Sequence, residues 1–446
     1  MKALRLMCIS MLAAATATVG IQAQAPSGQS PSMLPTGMFS TLGNQIVDRN
    51  QNPVRLSCVY WLGMNAKDGM FANQDGPFKG IQANIDAIAA TGFNCVRVDI
   101  NNISLHDSAT PAFLANMDQL VAAAAKANLR VIIDDHDNEG VPGTVKDVSC
   151  TAQQGNGLWY DLGGATNDTD GCNNVGHTTQ ASFQSDWVSI AARYAHNDTV
   201  IGYDLWNESI ASKGHSLWGG GSGRDIHLMF ETVGSAILSK DPNKLIFAEC
   251  PLAIYDPTTL YDGVTVGSAP WGDCTGVKNL PIVFKVKGKT IKDKVVYDVH
   301  LYANSVDDYN RIFGSSSSPS AIREMNKSFG FLVSQNIAPV WDGESGTGFQ
   351  ENPDDQEWAE MLVKYLNGEL VEQGGPAFTG NQQGMGIAWM SWSTQFTKKG
   401  DDNLGILNPD GSRVAAELNI VKQLLYYPRT KADDKASKLH PRKKAD

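Results

Sequence analysis

Val200-Ile201-Gly202-Tyr203-Asp204-Leu205-Trp206-Asn207-Glu208-Ser209 is a short apolar run that ends abruptly in polar residues. Val200–Leu205 has the length and the β-branched and aromatic content of a buried strand. The pattern recurs on both sides. Strand-like runs at Val54–Leu62, Asn94–Asp99 and Arg130–Asp134 precede it; Lys244–Ala248, Lys294–Val299, Ala338–Asp342 and Met385–Met390 follow it. Helical periodicity marks Ile81–Ala90, Ala112–Ala127, Phe183–Tyr194, Arg224–Leu238, Ala321–Ser334, Gln356–Leu370 and Val414–Leu425. Such alternation predicts an α/β fold with a parallel sheet and helical crossovers. Eight units close naturally into a (β/α)8 TIM barrel. The rival, a doubly wound open sheet, lacks a GxGxxG after its first strand. A short N-terminal hairpin is expected over Gly37–Pro53, turning at Asp48–Asn52. The longest loops follow the third and fifth strands, which puts them on the C-terminal face of the barrel.

The ends of the chain read differently. Lys2 and Arg5 precede an apolar run from Leu6 to Gly20, and Ala23-Gln24-Ala25 offers small residues for cleavage. Residues 1–25 are therefore expected to be a signal peptide, since the run is shorter than the ~20 residues of a membrane span. The expected organisation is a single barrel over 26–428 and a charged, disordered tail over 429–446. The protein is then secreted, either extracellular or periplasmic, with no membrane association after signal removal, and is expected to be a monomer. A net charge of −11 with no basic block before the tail argues against a nucleic-acid partner.

Of the seven cysteines, Cys8 leaves with the signal. Cys150 and Cys172 bracket one polar loop, and Cys250 and Cys274 bracket another, so each bracket is expected to form a disulfide. Cys58 and Cys95 lie in apolar strand-like runs and read as buried thiols. No Cys/His spacing suggests zinc, and no EF-hand pattern suggests calcium.

Reactive side chains collect where the strands end. Arg97 lies in the second strand, and His136 follows the third. Asn207 and Glu208 follow the fourth, His300 and Tyr302 the sixth, Glu344 the seventh and Trp392 the eighth. A barrel brings all these ends to one rim. Two glutamates there suggest glycoside hydrolysis, which needs two carboxyl groups flanking one bond. Each residue also has a plainer reading. A Glu after a strand is ordinarily a surface or capping residue. Arg97 would pair with a carboxylate such as Asp99, His136 among Asp134, Asp135 and Asp137 would bind a metal, and Tyr302 and Trp392 would be core aromatics.

Taken in order, this set resembles glycoside hydrolase family 5, over roughly Gly37 to Leu425. That family's Arg, His, Asn-Glu, His-x-Tyr, Glu and Trp stand here as Arg97, His136, Asn207-Glu208, His300 and Tyr302, Glu344, and Trp392. Val200–Glu208 is similar to the bacterial endoglucanase branch, as is Lys244–Ala248 after its Asp-Pro-Asn turn. Ser209 stands where the family often has Pro, and Ser345 where an aromatic commonly follows the second glutamate. The resemblance implies a retaining hydrolase cleaving β-1,4-glucan, with Glu208 as acid and then base and Glu344 as nucleophile. It implies that Arg97 and Tyr302 hold Glu344, that Asn207 binds the sugar 2-hydroxyl, and that His136 and His300 position the sugar and the acid. Trp392 would form the floor beneath the ring, and Trp61, Trp206, Trp218 and Trp271 would extend the cleft or pack in loops. No cofactor is needed, and the partner is a polysaccharide or oligosaccharide. The alternatives are the same chemistry on mannan, xyloglucan, β-1,3-glucan or a glycolipid, or a binding protein without catalysis.

Overall fold

The computed structural model describes residues 34–427 apart from 66–68, 73, 106–109, 138–157, 161–177, 210–215, 253–259, 262–263, 266–271, 304–305, 307–318, 348–353, 393–403 and 409. Eight parallel strands close into a barrel. They are β1 (Ser57–Tyr60), β2 (Cys95–Asn101), β3 (Arg130–Asp137), β4 (Val200–Asp204), β5 (Leu245–Glu249), β6 (Val295–Tyr302), β7 (Val340–Gly346) and β8 (Gly386–Met390). Each pairs with its neighbours in chain order, and β8 closes on β1 through Ile387 and Ser57.

Helices α1 (Gly80–Thr91), α2 (Thr110–Lys126), α3 (Gln180–Arg193) and α4 (Ile226–Lys240) follow the first four strands. Local chemistry sets their ends. Thr179 and Ser182 form a capping box on α3, Asp225 accepts from Leu228 N on α4, and Gly92 closes α1 in the left-handed conformation at φ 101°. Between β5 and β6 the described residues hold no α-helix, but a two-residue pairing of Leu260–Tyr261 with Val264–Thr265, a 3-10 turn at Thr275–Lys278 and a hairpin of Phe284–Val286 with Lys289–Ile291. The expected helix over Ala321–Ser334 is α5 (Pro319–Met325) followed by a π-turn over Asn326–Gly330 and a last turn at Phe331–Ser334. Then come α6 (Asp354–Leu366) and α7 (Ala415–Lys422). The N-terminal residues form a three-stranded sheet: Phe39–Leu42 and Gln45–Asp48 turn at Gly43–Asn44, and the expected turn at Asp48–Asn52 joins the second strand to a third, Pro53–Val54.

Two apolar layers hold this together. One joins the outer face of the strands to the helices. The other, with Cys58, Cys95, Ile132, Phe247, Val296, Trp341 and Ala388, fills the barrel interior and meets Phe39, Ile46 and Val54 of the N-terminal sheet. Strand side chains alternate with period two. Two residues further along the same strands stand Tyr60, Arg97, Asp134, Glu249, Asp298 and Met390, so the interior turns polar toward the C-terminal face.

One cysteine expectation is corrected. Cys58 and Cys95 are register partners in β1 and β2, with Cα atoms 4.3 Å apart, and they form a disulfide. Burial in apolar strands points to thiols, but strand pairing sets the two sulfurs face to face. Cys250–Cys274 forms as expected. Cys150 and Cys172 lie outside the described residues, as do the signal segment, the tail and Trp271.

Candidate active site

Arg97 is the hub of the polar layer and is wholly buried. Its Nη1 donates to Glu344 Oε1 at 2.6 Å, and its Nη2 donates to Asp204 Oδ2 at 2.9 Å and to Asn207 Oδ1 at 3.0 Å. Asp134 Oδ1 lies 3.1 Å from the same Nη2, and the guanidinium sits 4.8 Å over the Tyr60 ring. Burial works against its charge, but Asp134, Asp204 and Glu344 outweigh it. Asp99 is not its partner. Asp99 accepts the N–H groups of Gly63, Met64 and Asn65 and so shapes the turn after β1.

Glu344 reaches the interior through a bulge. Trp341 faces inward, so strict alternation would turn Gly343 inward and Glu344 outward. The register instead runs Val299↔Asp342 and His300↔Glu344, which leaves Gly343 unpaired and flips the phase. Gly343 N–H donates to Asp298 Oδ1 at 2.7 Å, and a Cβ there would meet that carboxyl at 2.2 Å. Only glycine fits. The Glu344 carboxylate then takes Arg97 on one oxygen and Tyr302 Oη, at 2.7 Å, on the other. Burial alone would raise its pKa. His300, Arg97, His136 and the Tyr302 hydroxyl reverse that and lower it to about 2.

Glu208 follows β4 with φ +45°, a left-handed conformation that costs a non-glycine residue about 1–2 kcal/mol. Its N–H donates to the buried carboxylate oxygen Glu249 Oε2. Its own Oε1 meets His300 Nδ1 at 2.9 Å, and that nitrogen is 3.6 Å from both Glu344 Oε2 and Glu249 Oε1. Glu208, His300 and Glu344 present polar atoms within 4.8 Å of one another. Among the described residues this is the group compact enough to hold a cation, but Arg97 already occupies the Glu344 carboxylate. Glu208 keeps 15% of its side chain exposed against 4% for Glu344.

His136 Nδ1 donates to Asp134 Oδ2 at 2.8 Å and lies 2.9 Å from Tyr60 Oη. Burial opposes its charge; Asp134, Glu344 and Asp99 prevail and raise its pKa to about 10. Asn207 Nδ2 lies 3.5 Å from the other ring nitrogen of His136. With Asp134 bound to both Arg97 and His136, the geometry is that of an ion-pair relay and not of a metal cluster.

Arg97, His136, Asn207, Glu208, His300, Tyr302 and Glu344 thus converge. Trp392 does not join them. Its indole is wholly buried, donates to Asn84 Oδ1 of α1 at 3.0 Å, and packs near Phe78. The partly exposed apolar side chain beside the cluster is Met390, whose Sδ is 2.5 Å from Tyr302 Oη. Trp61 and Trp206 are also buried, Trp61 stacking on Phe71 and Trp206 meeting Phe183 edge-on, while Trp218 packs on α4 and donates to Leu280 O. The loop-packing reading therefore fits these three.

The sequence reading missed Asp204, Asp298 and Glu249. Asp298 shares a hydrogen bond with Asp204; burial first, and then that neighbour, push its carboxyl well above the usual range. The available signal was an Asp or Glu inside or ending an apolar strand, as in Tyr297-Asp298-Val299 and Phe247-Ala248-Glu249.

A family model described as Cellulase (glycosyl hydrolase family 5) matches residues 47–397. Among curated proteins, the chain is similar to an endoglucanase of Paenibacillus polymyxa, 26% identical over 353 residues, covering 74% of this chain and 77% of that protein. It is also similar to endoglucanase B of Acetivibrio thermocellus, 26% identical over 352 residues, covering 68% of this chain and 57% of that longer protein. Among solved structures, an endocellulase from Pyrococcus horikoshii in complex with cellotetraose superposes with a TM-score of 0.65 at 21% identity, covering 88% of this chain and 100% of that one. The catalytic domain of the major endoglucanase from Xanthomonas campestris pv. campestris gives 0.63 at 21% identity, covering 86% and 99%. At that identity the two structures speak for the fold.

Proposed function

The chain belongs to glycosyl hydrolase family 5, and from that premise we propose that it is a secreted endo-β-1,4-glucanase working by double displacement. The observation that carries the mechanism is the closeness of Glu208 and Glu344, whose oxygens lie within 4.8 Å of one another. Retaining enzymes hold their two carboxyl groups ~5–5.5 Å apart, and inverting enzymes leave ~6.5–9.5 Å for a water.

The roles follow from the surroundings. Glu344 accepts from Arg97 and Tyr302 and stays ionised, which suits the nucleophile. Among the described residues the Glu208 carboxyl meets His300 and no Arg or Lys, and it is the more exposed, which suits the group that gives and retakes a proton. Protonated Glu208 would donate to the departing glycosidic oxygen while Glu344 attacks the anomeric carbon. Esterified Glu344 has lost its charge, so Glu208 would then take a proton from water as that water cleaves the ester. Asn207, held by Arg97, would meet the sugar 2-hydroxyl, and Met390 in place of Trp392 would supply the apolar surface under the ring.

The names of the relatives support glucan as substrate, and the two disulfides among the described residues support an oxidising compartment. Among the described residues no helix is long and apolar enough to cross a membrane. The test is a panel of carboxymethyl cellulose, mannan, xyloglucan and β-1,3-glucan with product sizing, run on the wild type and on Glu208→Gln and Glu344→Gln. Preferred release of mixed oligosaccharides from the cellulose derivative, lost in both variants, supports the proposal. Preference for another polymer would overturn the substrate, and near-wild-type rates in both variants would overturn the mechanism.

A further inference from the structure

Glu249 ends β5 with its carboxyl wholly buried. Its Oε2 accepts the N–H of Glu208, the residue whose backbone is left-handed at φ +45°. Its Oε1 faces His300 Nδ1 at 3.6 Å, the nitrogen that meets Glu208 Oε1 at 2.9 Å. One carboxyl therefore accepts from the backbone that carries Glu208 and lies 3.6 Å from the imidazole nitrogen that meets its side chain. Glu249 is itself fixed. Its register partner in β6 is Asp298, and the next residue, Cys250, is bonded to Cys274 and donates to Asp298 O at 3.1 Å. Leu252 N–H donates to Ser209 O at 2.8 Å, so the segment after Glu208 is docked on the segment after Glu249 at a second point.

We propose that Glu249 is a positioning residue for Glu208, aiming the acid/base carboxyl by holding its backbone and its imidazole partner from one rigid strand end. This rests on the reading of Glu208 as acid/base. Burial, followed by Glu208, Asp298 and Asp204, favours the neutral form of Glu249. A neutral carboxyl still accepts an N–H, and it adds no further negative charge beside Glu344.

The test compares kcat/KM on cellopentaose, whose leaving group needs a proton, with kcat/KM on 2,4-dinitrophenyl β-cellobioside, whose leaving group does not. Glu249→Leu removes the acceptor while filling the space. It should lose about 10²-fold on cellopentaose and far less on the aryl glycoside, as misaimed general acid catalysis requires. Glu249→Gln keeps a neutral acceptor and should restore most of the cellopentaose rate. Equal losses on both substrates in Glu249→Leu, or no rescue by Glu249→Gln, would overturn the proposal, as would wild-type rates in Glu249→Leu. If the Leu variant does not fold, the Gln variant decides alone, since a loss confined to cellopentaose would contradict acceptance by a neutral group. Glu208→Gln, run in parallel, separates the two ideas. If its losses do not depend on the leaving group, the acid/base reading itself fails whatever Glu249 does.

Discussion

Arg97 Nη1 and Glu344 Oε1 lie 2.6 Å apart, across 247 residues of sequence. β2 carries one and β7 the other, both are buried, and Arg97 also meets Asp134 and Asp204. A single guanidinium thus holds the proposed nucleophile, the proposed sugar ligand Asn207 and two structural carboxylates. Its planar fork makes that possible; an ammonium is a point charge. Arg97→Lys should therefore lower kcat/KM by on the order of 10²–10³-fold, in line with the loss of one preorganised donor at a reacting centre. Steady-state kinetics on a soluble cellulose derivative measure it. A change within a factor of about three would show that charge alone suffices, against the fork argument.

His136 gives a stability prediction with a definite sign. Its pKa in the folded protein is about 10, above its ordinary value of 6.5. The stability it contributes is fully present below pH ~6.5 and is lost as pH rises through about 10. A single group of this kind changes stability by at most ~1.4 kcal/mol per pH unit. Denaturation curves of the wild type and of His136→Asn, taken across that window, should converge as pH rises. Curves that stay parallel would mean that the imidazole is already neutral at pH 7.

The Cys58–Cys95 bond closes a segment of 37 residues, which corresponds to about 4 kcal/mol of stabilisation in the chain-entropy account. Replacing both cysteines by alanine should lower the midpoint of thermal unfolding while leaving kcat near wild type, because the sulfurs lie in the apolar layer below the reacting groups. A large fall in kcat at a temperature where the variant is folded would place the bond in the catalytic machinery instead.

Much of this architecture is legible in the chain itself. Eight apolar runs and their helices announce a barrel because strand and helix periods differ. Rim residues can be named because parallel strands deliver their C-terminal ends to one face. What escapes depends on partners chosen across the sheet. Cys58 and Cys95 meet only once β1 and β2 are in register. Glu344 faces inward only because of the bulge at Gly343. The strands β2, β3, β6 and β7 run on to Asn101, Asp137, Tyr302 and Gly346, past the point where their apolar signal ends, because the barrel interior there is polar. Trp392, which spacing alone puts at the rim, turns its indole toward Asn84 and leaves Met390 beside Tyr302.

That last exchange makes the site sensitive to oxidation. Sulfoxide formation at Met390 would place a strong acceptor against the Tyr302 hydroxyl, which now donates to Glu344. Mild hydrogen peroxide should inactivate the wild type, and Met390→Leu, close in volume, should keep most of its activity under the same treatment. Equal inactivation of the two proteins would locate the damage elsewhere among the thirteen methionines.

Double displacement requires Glu344 to form a covalent bond to the sugar. Incubation with 2,4-dinitrophenyl 2-deoxy-2-fluoro-β-cellobioside, followed by intact mass and peptide mapping, tests this directly. The fluorine slows release of the glycosyl-enzyme, so the account predicts one fluorocellobiosyl group per chain, on the peptide that carries Glu344. A label on Glu208 or on any other residue would contradict it.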